Sequence, residues 1–90
     1  MMTDQEAADY AYDLVEMYIE DKMGGLLHGY GLDVVFPSRP TDAMMVEVVC
    51  GSETDAENVA RYLGLQANKS GTGIAYVQQD GYVVMVEFNF

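Results

Sequence analysis

The chain has little positive charge. Its 90 residues include only 4 Lys and Arg against 15 Asp and Glu, a formal net charge of −11. Direct binding to nucleic acid or to an anionic membrane needs a basic surface, so both are excluded and a basic partner is favoured. There is no Trp and only 1 Cys, Cys50, so no disulfide framework exists and a reducing compartment, the cytoplasm, is expected. No run of apolar residues approaches the roughly 20 that a membrane span requires. The start, Met1 to Glu6, has neither a basic nor an apolar segment of the kind a signal peptide carries.

Catalytic and metal-binding patterns are equally scarce. The single imidazole, His28, stands among leucines and glycines and reads as a connector residue, while Cys50 ends an apolar run with no basic residue nearby in sequence to lower its pKa. Lys69-Ser70-Gly71-Thr72-Gly73 has the composition of a phosphate loop but lacks its order and leads into a strand. No Cys/His spacing suits zinc and no acidic loop suits calcium. Neighbouring carboxylates such as Asp9 with Asp13 supply fewer ligands than Mg²⁺ or Ca²⁺ takes. Neither a metal nor a cofactor is expected, and the chain does not read as an enzyme.

What is present is periodicity. Half of the residues are apolar, enough for a single domain over residues 1–90 with one core. Thr3 with Glu6 forms a capping box that opens a helix running to Gly24-Gly25, with Lys22 in its last turn. At about 100° per residue, Ala7, Ala11, Leu14, Val15 and Tyr18 share its core side. Glu6, Asp9, Asp13, Glu16 and Glu20 share the other, at spacings of three, four, three and four with no Lys or Arg among them. Each neighbouring pair is a like-charge contact, together opposing the helix by roughly 1–2 kcal/mol, so apolar packing must hold it.

Leu26 to Gly31 reads as a connector that packs its leucines inward, Leu32 to Phe36 as a short extended run, and Pro37 to Asp42 as its stop. Ala43 to Cys50 alternates as a central strand, with Met44, Val46, Val48 and Cys50 on one side. Thr54 and Glu57 form a second capping box, Ala56, Val59, Ala60 and Leu63 a buried helix face, and Gly64 with Leu65 its end. Glu57 and Arg61, four apart, partly compensate this helix. Gly73 to Gln79 and Tyr82 to Phe90 flank Asp80-Gly81, which predicts a type I′ hairpin with Val77 opposite Val84, Ala75 opposite Val86 and Gly73 opposite Phe88, leaving Ile74 on the reverse face.

This αββαββ order predicts an α+β two-layer sandwich, a four-stranded mostly antiparallel sheet with two helices on one face. It is also the order of a ferredoxin-like fold with its first strand moved to the end, which makes the second and fourth strands the central pair. If helices cover one side only, Met45, Val49, Tyr76, Val83 and Met85 are left on the other, and a homodimer through that face is the plain reading.

The acidic helix face spans about 21 Å from Glu6 to Glu20, about one charge per 5 Å against one per 3.4 Å along a DNA strand. Asp21, Asp42, Glu53 and Asp55 are further acids that the fold can add to it. In size, acidity and lack of catalytic residues the chain resembles the small inhibitors that phages make against host defences, anti-CRISPR proteins and DNA-mimicking anti-restriction proteins. The resemblance implies a non-enzymatic protein in the host cytoplasm whose carboxylates occupy the Lys/Arg channel of a nucleic-acid-binding protein or ribonucleoprotein complex. Its contact row would be Glu6, Asp9, Asp13, Glu16 and Glu20, flanked by Tyr10, Tyr12 and Met17 as apolar anchors. The alternative is a small homodimeric or ligand-sensing module that works through the sheet face.

Overall fold

The structure, a computed structural model, describes residues 3–36, 43–67, 69 and 71–89. Six elements follow in order: α1 (Asp4–Met23), β1 (Tyr30–Val35), β2 (Met44–Cys50), α2 (Glu53–Gln66), β3 (Ile74–Asp80) and β4 (Val83–Phe88). The strands form one sheet in the order β1-β2-β4-β3, every neighbouring pair antiparallel. This is the expected α+β sandwich, with β2 and β4 in the centre, and its strand order is that of a ferredoxin-like sheet whose first strand has moved to the chain's end.

Alternation drives the assembly. Met44, Val46, Val48 and Cys50 on β2 and Val84, Val86 and Phe88 on β4 are buried, and both helices lie on that side. Helix α1 seats with Ala7, Ala8, Ala11, Val15, Ile19 and Met23. The predicted stripe is therefore rotated slightly: Leu14 and Tyr18 are half-buried, and Tyr18 meets Tyr62 of α2 edge to face, centroids 6.0 Å apart. The Thr3–Glu6 capping box is present and α1 ends with Gly24 as its C-cap.

Several local expectations are overturned. The N-cap of α2 is Ser52 and not Thr54, its hydroxyl accepting from the Asp55 amide at 3.1 Å. Gly64 does not end that helix, which runs on to Gln66 with Ala67 as its C-cap, burying Gln66 and leaving Leu65 exposed. The connector is shorter than expected, since Tyr30 and Gly31 already pair with Cys50 and Val49. Of its leucines only Leu27 packs on the core, whereas Leu26 is 71% exposed. Among the described residues Glu57 and Arg61 do not close an ion pair.

The second hairpin turns one residue later than predicted. Asp80 pairs with Val83, so the two-residue loop is Gly81-Tyr82, and Val77 faces Val86. Gly81 has φ +61° while no other residue type in the described chain has a positive φ. A loop with positive φ at its first position alone has the type II′ pattern, where type I′ needs it at both. A register irregularity between Ile74 and Tyr76 then turns Ile74 into the core, opposite Phe88, and leaves Ala75 exposed. The segment from Pro37 to Asp42 lies outside the described residues.

Candidate functional site

All five carboxylates of the predicted row, Glu6, Asp9, Asp13, Glu16 and Glu20, are exposed on α1. They point away from the core because the buried positions of the helix take the opposite arc. The flanks agree in part: Tyr10 is 36% and Met17 47% exposed, but Tyr12 is half-buried. The ends of the row are tied down. The Thr3 amide donates to Glu6 Oε1 at 3.2 Å, Gln5 Nε2 donates to Asp9 Oδ1 at 2.9 Å, and the Tyr30 hydroxyl donates to Glu20. Asp13 and Glu16, in the middle, have no hydrogen-bond or ion-pair partner among the described residues.

Tyr30 shows which way the row leans. Burial pushes its phenol well above the ordinary tyrosine value, and the Glu20 hydrogen bond and charge add to this, followed by the charge of Glu16. Glu20 therefore reaches the start of the edge strand β1, while α1 meets α2 through Tyr18.

Asp55 does not join that acidic surface as expected. It is buried in the first turn of α2, where Oδ2 accepts from the His28 amide at 3.1 Å and lies 3.2 Å from His28 Nδ1. The second contact is a hydrogen bond when Nδ1 carries the proton, the first is made by the backbone in either tautomer, and the site is also favoured by the positive end of the helix. The His28 amide bond, ahead of the side-chain bond and charge, holds the Asp55 carboxyl below its ordinary range against the opposing effect of burial. The imidazole itself is 83% exposed. Sequence reading missed this pair, although Ser52-x-x-Asp55 carries the same capping signature as Thr54-x-x-Glu57 and marked the helix start.

Cys50 is buried, and burial followed by the nearby Asp55 charge pushes its thiol up. A thiol held protonated is a poor nucleophile. Among the described residues no three His, Cys, Asp or Glu side chains converge in a way that would hold a metal ion, and no helix is long and apolar enough to cross a membrane.

The structure also brings together the five residues expected on the reverse of the sheet. Met45, Val49, Tyr76, Val83 and Met85 all occupy outward positions, with Val49 beside Val83 and Val49 and Tyr76 the most exposed, at 39% and 55%. Compared with protein-family models, curated proteins and solved structures, the chain matches none.

Proposed function

We propose that the protein is a non-enzymatic inhibitor that binds the basic, nucleic-acid-binding surface of a host defence complex through the α1 ridge. The observation that carries this reading is the pair Asp13 and Glu16, exposed at the centre of the row with no partner among the described residues. Charges left free on a helix that they destabilise are available to a cationic partner. Five carboxylates over about 21 Å follow a rise of 1.5 Å per residue. They are sparser than DNA phosphates but of the same sign and on one line, the arrangement a Lys/Arg-lined channel attracts. Tyr10 and Met17 beside the row supply apolar contact.

The test is plaque formation by a targeted phage on bacteria with an active CRISPR or restriction system, expressing either the native protein or the Asp13→Lys/Glu16→Lys variant. Rescue by the native protein and its loss in the folded variant is the expected outcome. Rescue by both moves the contact off the ridge, and no rescue across several defence types removes the inhibitor reading.

A further inference from the structure

The face of the sheet away from the helices is not the polar surface that a two-layer antiparallel sheet usually turns to water. Its outward residues on the central strands are Met45, Glu47 and Val49 on β2 and Val83, Met85 and Glu87 on β4. The register sets Val49 against Val83, Glu47 against Met85, and Met45 against both Glu87 and Val35 of β1. The apolar side chains thus form an oblique band from Val49 and Val83 through Met85 to Met45 and Val35. Acids border it on both sides: Asp33 and Glu47 are cross-strand neighbours on one, and Glu87 with Asp80 stands on the other. Among the described residues, no Lys, Arg or His occupies an outward position on a strand.

We infer that this face docks a basic amphipathic helix of a partner protein. The band covers four residue steps along the strands, about 14 Å at 3.4 Å per step, which matches about ten residues or three turns of helix. Such a helix lays its apolar stripe on the Met and Val floor, where flexible thioethers adapt to it, and sets its Lys and Arg against the acidic borders. It completes a helix–sheet–helix sandwich and buries the second face of the sheet. Charge selects this occupant over a second copy of the chain. Face-to-face pairing brings Asp33, Glu47 and Glu87 of one copy against the same residues of the other, with no cation among the described strand residues of either copy to offset them. The site lies on the opposite side of the sandwich from α1 and does not rest on the ridge reading.

The experiment titrates the intact chain with a synthetic Leu/Lys helix of about four turns, its leucines on one face, and with a scrambled peptide of the same composition. Binding is followed by fluorescence anisotropy and by the methyl NMR signals of the methionines. The expected result is binding at least about tenfold tighter for the amphipathic peptide, shifts at Met45 and Met85, and loss of that preference in the Val49→Asp variant. The Asp13→Lys/Glu16→Lys variant retains the preference, which separates this site from the ridge. Equal binding of the two peptides, or shifts confined to Met17 on α1, overturns the proposal because charge alone then explains the binding. So does absence of binding. A sedimenting dimer that Val49→Asp dissociates also overturns it, in favour of a second copy. Methyl mapping needs no variant, so it decides the matter even if Val49→Asp fails to fold.

Discussion

The first αββ unit, α1 to β2, and the second, α2 to β4, place their elements alike: a helix on the covered face, an outer strand, then an inner strand. They differ in what the helix carries. Helix α1 buries only apolar residues, three of them alanines in its first half, and leaves its carboxylates outside with no ion pair among the described residues. Helix α2 buries Asp55 and Gln66 along with Ala56, Val59 and Leu63, and Asp55 ties it to the loop before β1 through His28. One unit therefore keeps its polar chemistry on the surface and the other uses part of it inside. Small apolar contacts suffice to seat a helix whose outer face is free to vary, whereas a helix anchored by a buried carboxylate is committed to one neighbour.

The largest effects test what the two units share. Ile19 on α1 and Leu63 on α2 are both fully buried in the same core cluster. Ile19→Ala and Leu63→Ala should each lower stability by about 2–5 kcal/mol, read by urea denaturation. A loss confined to Leu63→Ala would break the symmetry and show that α1 is seated mainly by its alanines.

Second comes the anchor that only α2 has. The Asp55 carboxyl lies below its ordinary range, so its contribution is fully present above the unfolded value of about 3.9. That contribution is lost as pH falls through the lower folded value. Asp55→Asn should flatten the acid limb of the stability profile below about pH 4 and lower stability at neutral pH. Thermal melts across pH check both, and an unchanged acid limb would mean that the His28 contact adds nothing to folding.

What was legible in the sequence divides along the same line. The α1 cap and the alternation of β2 follow from contacts within a few residues and from a strict period-two pattern, the central placing of β2 and β4 follows from the order of the elements, and all are found. The ridge was legible for the same reason, since helical spacing alone puts its carboxylates on the exposed arc. The α2 start was ambiguous because Ser52-x-x-Asp55 and Thr54-x-x-Glu57 overlap. The contact of Asp55 with His28, 27 residues away, favours the first. The hairpin register differed by two residues, a change that keeps the side chains of β4 on their faces, whereas the irregularity between Ile74 and Tyr76 exchanges the faces of Ile74 and Ala75 and has no signature in the alternation. The Tyr30 bond to Glu20 joins an element end to a helix face and has no local signature.

Third in size are the glycines of the second unit. Gly81 has φ +61°, and Gly81→Ala should cost about 1–2 kcal/mol from the left-handed backbone alone, since no atom lies within 4 Å of an added Cβ. Gly64 sits inside α2 with equal space around it. There Ala should gain about 0.5–1 kcal/mol by reducing the freedom of the unfolded chain. Opposite signs at the two positions, measured in one denaturant series, would confirm both the two-residue loop and the continuous helix.

The smallest effect sharpens the contrast between the helices most directly. Glu16 is exposed and lies three residues after Asp13 and four before Glu20, so Glu16→Gln removes two like-charge contacts and should raise stability by about 0.4–1 kcal/mol. Glu57 on α2 has Arg61 four residues on and no comparable acidic row, so Glu57→Gln should change stability by less than about 0.5 kcal/mol. The α1 gain should shrink in high salt, because it comes from exposed charges that counterions screen. A residue whose replacement stabilises the free protein and at the same time weakens its capture by a basic partner is held there by binding. If Glu16→Gln stabilises the chain and leaves inhibition intact, the row is a solvated helix face and the contact lies elsewhere.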